Sequence, residues 1–241
     1  MVARRRRLAG GPCPTPTPLP DRGAGARPRR DFERGSMTEV IIISGARGAG
    51  KTTLINGIVT ANALDEPPVV LECESGESSV SWDLISAGRV SLWPVVPARR
   101  TDVGDGLPHS LYQGLTTIMR ASPPACVIVE ACDAASVDDV AGVVSYAGRE
   151  QPLEVCAAIT VVDATTVAEP RALSNAACRK LEESSLLVLT KAESLSDYDV
   201  FRARGILHAL SNAPVVRLDK RPDFRRLLEL AKVAWALRAG A

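Results

Sequence analysis

From residue 39 onward, apolar runs of strand length alternate with stretches of helical periodicity. The strand-like runs are continuously apolar, as at 127–129, which is typical of strands buried on both faces of a parallel sheet. Strands are predicted at 39–44, 68–73, 89–96, 125–130, 155–162, 185–190 and 214–218. Helices are predicted at 51–62, 107–121, 136–147, 172–183, 196–210 and 222–238, the last with a broad apolar stripe assigned to the core. This alternation predicts an α/β fold with a mostly parallel sheet and helices on both faces.

The first 36 residues differ from the rest in composition. They contain nine Arg and three acidic residues, a net charge of +6, whereas residues 37–241 contain 20 basic and 25 acidic residues, a net charge of −5. A segment so rich in Arg, Pro and Gly cannot bury enough apolar surface to order itself, so 1–36 is predicted to be a disordered extension. Met37 stands two residues before the first predicted strand, which suggests a mistaken start and a single domain at 37–241. A tether to nucleic acid or to an anionic surface and an organelle transit peptide are the alternatives.

Charge and cysteine content exclude several classes of protein. The acidic balance after Met37 argues against nucleic acid as the main ligand. No stretch reaches the roughly 18 consecutive apolar residues that a membrane helix requires. The six cysteines form no CxxC pair and no cluster typical of a disulfide scaffold, which predicts a reducing, cytoplasmic compartment.

Residues 45–52 read Gly-Ala-Arg-Gly-Ala-Gly-Lys-Thr, a complete GxxxxGK[ST] phosphate-binding loop between a predicted strand and a predicted helix. Its glycines let backbone N–H groups point at phosphate oxygens, Lys51 can reach the β- and γ-phosphates, and the Thr52 hydroxyl can hold Mg²⁺. The alternative is a remnant that no longer binds. The residues predicted to contact nucleotide here are Gly45, Ala46, Arg47, Gly48, Ala49, Gly50, Lys51, Thr52 and Thr53.

Acidic residues follow three other predicted strands, at the sheet edge where ligands bind in open α/β folds. Glu130 is predicted to hold Mg²⁺ through water and, with Lys51, to act in catalysis; the alternative is an ordinary solvated carboxylate. Asp163 is predicted to contact nucleotide from the end of the strand at 155–162. Thr190, Lys191 and Glu193 approximate an Asn/Thr-Lys-x-Asp guanine signature, in which a carboxylate accepts from guanine N1–H and N2–H₂. This pattern predicts GTP over ATP.

The chain resembles the CobW-like P-loop GTPases, relatives of UreG and HypB that act as metallochaperones or help to insert metal and cofactor into enzymes. The resemblance rests on residues 44–56, 127–130, 159–163 and 187–191, and it runs in order from residue 39 to about 217. It implies a three-layer P-loop NTPase fold, GTP or GDP with Mg²⁺, a client metalloenzyme or corrinoid protein, and a homodimer formed around nucleotide. It also implies that Glu74, in the sequence Cys-Glu-Ser-Gly at 73–76, joins Thr52 and Glu130 as a metal ligand.

Three departures from the family pattern are informative. The equivalent of the family's Cys-x-Cys-Cys metal motif reads Pro-Ala-Arg-Arg at 97–100, so we expect no tight stoichiometric Zn²⁺. Asp133 replaces the glycine of the family's Glu-x-x-Gly switch and adds a charge beside the expected phosphates, which should weaken triphosphate binding or slow switching. The family's separate C-terminal domain has no counterpart in this sequence.

Three functions are compatible with these observations. The first is a GTP-hydrolysing accessory protein for the maturation of a metal or corrinoid enzyme. The second is a non-hydrolysing nucleotide-binding interaction module, which Asp133 and the absent thiolates favour. The third is a P-loop ATPase or small-molecule kinase, for which the segment 190–193 would be a coincidence.

Overall fold

The computed structural model describes residues 37–73, 80, 82–95, 106–167, 173–218 and 221–240. The N-terminal extension at 1–36, the candidate metal ligand Glu74 and the stretch at 97–100 lie outside the described residues.

Seven strands form one sheet in the order β3-β2-β4-β1-β5-β6-β7, and every described pairing is parallel. Their bounds are β1 Thr38–Gly45, β2 Val69–Glu72, β3 Ser91–Pro94, β4 Cys126–Glu130, β5 Leu153–Asp163, β6 Leu186–Thr190 and β7 Val215–Arg217. The first strand is central: Ile43 pairs with Glu130 of β4, and Gly45 pairs with Val161 of β5. The segments that follow these three strands therefore begin at the same edge of the sheet, which is the edge where parallel α/β sheets bind ligands.

Helices cover both faces of the sheet. Eight α-helices lie within the described ranges: α1 Lys51–Thr60, α2 Trp82–Ser86, α3 Gly106–Ala121, α4 Val137–Ala147, α5 Ala164–Val167, α6 Asn175–Glu183, α7 Asp197–Leu210 and α8 Phe224–Ala239. One hydrophobic cluster joins the α1 and α8 side chains to alternate residues of the strands, such as Ile41 and Ile43. Two further clusters occupy the opposite face, one under α3 and α4 and the other under α6 and α7. The three-layer α/β fold predicted from the sequence is confirmed.

The structure differs from the predicted elements in several places, among them β3, predicted at 89–96 and observed at Ser91–Pro94, and the start of α6, predicted at 172 and observed at Asn175. The helices α2 and α5, of five and four residues, were not predicted. Strand β5 begins at Leu153 rather than at 155. Leu230, assigned to the core stripe of α8, is 37% exposed, because the buried face of that helix is formed by Leu227, Leu228 and Ala231. Within the described ranges, no helix combines the length and apolar character that crossing a bilayer demands.

Candidate nucleotide-binding site

The phosphate-binding loop connects the central strand to α1 through three glycines with positive φ. Gly45, Gly48 and Gly50 have φ values of 141°, 77° and 104°, which side-chain-bearing residues rarely adopt. A Cβ atom on Gly45 would lie 2.4 Å from the backbone oxygen of Val161, so β5 leaves room for glycine alone. The loop also turns on a hydrogen bond from the Ala49 N–H to the Ala46 carbonyl, 3.1 Å long. These features give the loop the tight concave path that a phosphate cradle requires.

The N-terminus of α1 opens directly onto this loop. Gly50 is the N-cap residue and provides no side-chain cap, and the first turn contains no acidic residue. The positive end of the helix dipole is thus not offset by a carboxylate of its own first turn, which suits an anionic ligand. Lys51 is 4% exposed, and its ammonium group donates to the carbonyl oxygens of Gly45 at 3.1 Å and Ala46 at 3.4 Å. The Lys51 side chain therefore contacts the backbone of the phosphate-binding loop itself.

Thr52 and Glu130 meet at the edge of the sheet. The Thr52 hydroxyl donates to Oε1 of Glu130 over 3.0 Å, although 78 residues separate them in sequence. Glu130 is 2% exposed, so it is not the solvated carboxylate of the alternative interpretation. A cleft of about 250 Å³ is lined by Gly48, Gly50, Lys51, Thr52, Thr53 and Glu130. The loop and the acid that the sequence places 78 positions apart thus share one cavity.

The oxygen pair of Thr52 and Glu130 fits a magnesium ion. Mg²⁺ prefers hard oxygen ligands at about 2.1 Å in octahedral geometry, which places neighbouring ligand oxygens about 3 Å apart. The observed separation of 3.0 Å between Thr52 Oγ1 and Glu130 Oε1 agrees with that spacing. Glu74, the third predicted ligand, lies outside the described residues.

A second buried carboxylate was not predicted. Glu72 ends β2, is 7% exposed, and pairs in register with Glu130 on the neighbouring parallel strand. Parallel strands lie about 4.8 Å apart, so both carboxylates leave the sheet side by side on the face covered by α1. The signal was present in the sequence, since Glu72 closes an apolar run in the same way as Glu130 does.

The segment predicted to recognise guanine is tied to the phosphate-binding loop. The Thr190 hydroxyl donates to the carbonyl of Ala49 over 2.7 Å, so this residue connects β6 to the loop. Lys191 adopts a left-handed conformation with φ of 55°, and its ammonium group lies 2.6 Å from Oδ2 of Asp163. Glu193 is exposed in the 3₁₀-helix Ala192–Ser194. Asp163 thus contacts the lysine of the segment that is predicted to recognise guanine.

Asp163 is held in its ionised form. Burial alone raises the pKa of a carboxyl group, but hydrogen bonds from Lys191 and from the hydroxyl and N–H of Thr165 outweigh burial and lower the pKa below its ordinary value of 3.8. The Thr165 contacts measure 2.6 Å and 2.9 Å. The ion pair with Lys191 therefore persists well below neutral pH and fixes the position of the lysine.

The charge of Asp133 has a partner that the sequence did not reveal. The ammonium group of Lys180, on α6, donates to the Asp133 carbonyl and lies 3.3 Å from its carboxylate. Asp133 is therefore ion-paired, and the expectation that its charge weakens triphosphate binding or slows switching stays a prediction. Elsewhere, the described residues contain no group of three or more His, Cys, Asp or Glu side chains placed to hold a metal ion.

The model of the CobW/HypB/UreG nucleotide-binding domain matches residues 39–216. No curated protein is significantly similar in sequence. The HypB hydrogenase maturation factor of Archaeoglobus fulgidus superposes with a TM-score of 0.57 at 15% identity, covering 85% of this chain and 90% of HypB.

Two other solved structures share the fold. Zn(II)-bound YjiA GTPase of E. coli has a TM-score of 0.52 at 19% identity over 78% of this chain, which spans 59% of the YjiA chain. FtsY of Mycoplasma mycoides has a TM-score of 0.51 at 17% identity, covering 86% and 70% of the two chains. The similarity to these solved structures shows a shared fold. The family model, in contrast, matches most of the chain and shows the family. The chain belongs to the CobW/HypB/UreG family and contains its nucleotide-binding domain.

Proposed function

We propose that this protein binds Mg²⁺–GTP and hydrolyses it slowly, as an accessory factor in the insertion of a metal or a corrinoid cofactor into a client enzyme. The observation that carries the proposal is the shared cleft of Lys51, Thr52 and Glu130, which joins a phosphate cradle to a buried carboxylate. This arrangement supports binding of a nucleotide polyphosphate together with a divalent cation.

Catalysis in such a site consists of positioning and charge neutralisation. The loop N–H groups and Lys51 would bind the phosphates, and Thr52 and Glu130 would hold Mg²⁺. When bound, Mg²⁺ supplies Lewis-acid neutralisation of phosphate charge. The low exposure of Lys51 and Glu130 supports this role, because charges in a site shielded from water act more strongly on a reacting group.

Guanine selectivity is proposed for Glu193 and Lys191. Lys191 is held at Asp163, so its aliphatic stem is fixed at the end of β6, where it can cover a base. Glu193 lies two residues further along, exposed and available to accept from guanine N1–H and N2–H₂. Adenine lacks this pair of donors, so a carboxylate here discriminates between the two bases.

The accessory role rests on family membership. HypB of Archaeoglobus fulgidus is a hydrogenase maturation factor, and YjiA of E. coli is a GTPase that binds Zn(II). We infer a client that contains a metal or a corrinoid. Metal analysis of the purified protein tests a carrier role directly, and a stoichiometric tight Zn²⁺ would overturn our expectation that none is bound.

Turnover of GTP tests the enzymatic part of the proposal. The wild-type protein with Mg²⁺ is expected to release phosphate from GTP above background, and Lys51→Ala is expected to abolish this release. Arg204→Ala, which changes an exposed cation of α7, is the matched control and should retain the wild-type rate. Release at background in the wild type would reject hydrolysis and leave a nucleotide-binding interaction module.

Titration with fluorescent GDP and ADP tests the base. GDP is expected to bind more tightly, and Glu193→Ala should reduce GDP affinity while leaving ADP affinity unchanged. Equal affinity of the wild type for both nucleotides would remove the guanine assignment.

Removal of Mg²⁺ with EDTA should weaken GTP binding in the wild type and have a smaller effect in Glu130→Gln.

A further inference from the structure

Helix α6 holds the segment that leads from Glu130 into α4. This segment, residues 131–136, contains Asp133, whose carbonyl and carboxylate both contact the Lys180 ammonium group. The N-terminus of α4, directly after this segment, is held one turn further along α6. There the Glu183 carboxylate accepts from the N–H groups of Val137 and Asp138 at 2.9 and 3.2 Å. One short helix therefore contacts the middle of the segment through a cation and the start of the following helix through an anion.

The C-terminal end of α6 is attached to the sheet by hydrogen bonds. The Ser184 hydroxyl donates to the Lys180 carbonyl over 2.6 Å, and it lies 2.6 Å from the hydroxyl of Thr160 on β5. All three residues are at most 5% exposed. The end of α6 is thus attached to the sheet by buried hydroxyl groups through the Lys180 backbone carbonyl, and the ammonium group is held by its contacts with Asp133.

Lys180 is buried, which is rare for a lysine and occurs almost only where the ammonium group has a partner. Its side chain is 6% exposed, whereas that of Asp133 is 61% exposed. Burial costs the ammonium group its hydration, and the contacts with Asp133 recover part of that loss. The aspartate itself could stay hydrated without the lysine. The pair therefore has two effects: it offsets the lost hydration of the Lys180 ammonium group, and it reduces the field of the Asp133 charge on its surroundings.

Those surroundings include the proposed phosphate site. Asp133 follows Glu130 by three residues, a span of at most about 10 Å of chain. Glu130 touches Thr52, and the Ala131 N–H is held by the Ile43 carbonyl over 2.9 Å. Glu130 lines the cleft, so a free carboxylate at residue 133 is within about one Debye length of a residue that lines it, and its repulsion there is not fully screened.

We propose that Lys180 is a positioning residue that lets this site accept a nucleoside triphosphate, by neutralising Asp133 and holding the 131–136 segment in place. The inference rests on the proposed function and deepens it, since it concerns the γ-phosphate of the same ligand. The diphosphate carries one negative charge fewer and lacks the terminal group, so it depends less on Lys180. The selectivity of the site for the triphosphate over the diphosphate therefore depends on Lys180 of α6, which is not among the residues that line the cleft.

The test compares Kd values for GDP and for a non-hydrolysable GTP analogue in Mg²⁺ buffer. Lys180→Met keeps the apolar stem and removes the charge, and it should weaken binding of the analogue about fivefold with GDP changed less than twofold. Adding Asp133→Asn to Lys180→Met should restore the analogue affinity, because the unneutralised charge is then gone. Lys180→Arg should behave as wild type. Restoration by the double variant separates charge neutralisation from a purely structural role.

Lys232→Met is the matched control, because Lys232 is a partly buried lysine paired with Glu39 at the opposite edge of the sheet. It should leave both affinities unchanged. An unaltered GTP-analogue to GDP ratio in Lys180→Met, or a double variant that is not restored, overturns the inference alone. Failure of the wild type to bind either nucleotide overturns the proposed function and this inference with it. Retained GDP affinity in each variant shows that it has folded.

Discussion

Burial decides which cysteines of this protein are reactive. Burial raises the pKa of Cys73 and of Cys156 to about 12, and it also raises the pKa of Cys126. At pH 8 a thiol with a pKa of about 12 is ionised to about one part in 10⁴, against roughly a quarter for an ordinary thiol. Cys132, Cys156 and Cys178 are all partly exposed, but for Cys156 the raised pKa keeps the thiol protonated.

Among the five cysteines of the described residues, iodoacetamide at pH 8 should therefore label Cys132 and Cys178 in the folded protein well before Cys73, Cys126 and Cys156. Peptide mass spectrometry over a time course gives the individual rates. In urea all of these cysteines should react at similar rates, which controls for differences between peptides. Labelling of native Cys73 as fast as that of Cys178 would contradict the burial argument.

Asp163 makes stability depend on pH in a predictable direction. Its pKa is lower in the folded protein than in the unfolded chain, so its contribution is present above the unfolded pKa near 4 and is lost as the pH falls below that value. The Asp163→Asn variant should therefore lose less stability than the wild type on acidification. Because the Lys191 side chain is 46% exposed, solvent screens the pair and the difference is modest. Urea midpoints at pH 6.0, 4.5 and 3.5 measure it, and parallel curves for the two proteins would refute the prediction.

At the scale of elements, alanine substitutions at two helical glycines distinguish the effect of packing on stability from the effect of helix propensity. A Cβ atom on Gly57 of α1 would lie 2.3 Å from the Phe224 ring of α8, whereas a Cβ atom on Gly142 of α4 would have open space. Gly57→Ala should therefore destabilise by about 1–3 kcal/mol. Gly142→Ala should stabilise by about 0.5–1 kcal/mol, because alanine favours the helix.

Urea denaturation of the two variants measures both free energies of unfolding. Adding Phe224→Leu to Gly57→Ala should recover part of the loss, because the ring that meets the new methyl group is then gone. If Gly57→Ala were as stable as the wild type without this second change, α1 and α8 would not pack as closely as the structure shows.

Sequence patterns predicted the elements that are long enough to show a period. Each of the seven strands was predicted from an apolar run of strand length, but α2 and α5 span only five and four residues, too few to show a helical period. The phosphate-binding loop was found because its parts are contiguous. Lys180 was not found, because it meets Asp133 across 47 positions and nothing local marks a lysine as buried. Glu72 could have been found by the rule that found Glu130.

At the scale of the whole molecule, the proposed ligand binds where distant parts of the chain already meet. The loop after the central strand is held by Thr190, 141 residues from its acceptor Ala49, and by Glu130 through Thr52. Hydrophobic clusters on both faces are built on strands of this one sheet. A ligand that orders the loop therefore stabilises the described sheet as a unit, and it does so only to the extent that it binds the folded state.

Mg²⁺–GDP should accordingly raise the urea midpoint without changing the slope, since the surface exposed on unfolding is nearly the same. At a concentration 100 times the Kd the gain is about 2.7 kcal/mol. Lys51→Ala should show no gain at the same concentration, although its own midpoint stays close to that of the wild type. Circular dichroism and tryptophan fluorescence should give coincident curves, because Trp93 and Trp235 pack against the same hydrophobic cluster from β3 and α8. A GDP effect that appeared by only one of the two probes would show that the loop and the sheet unfold separately.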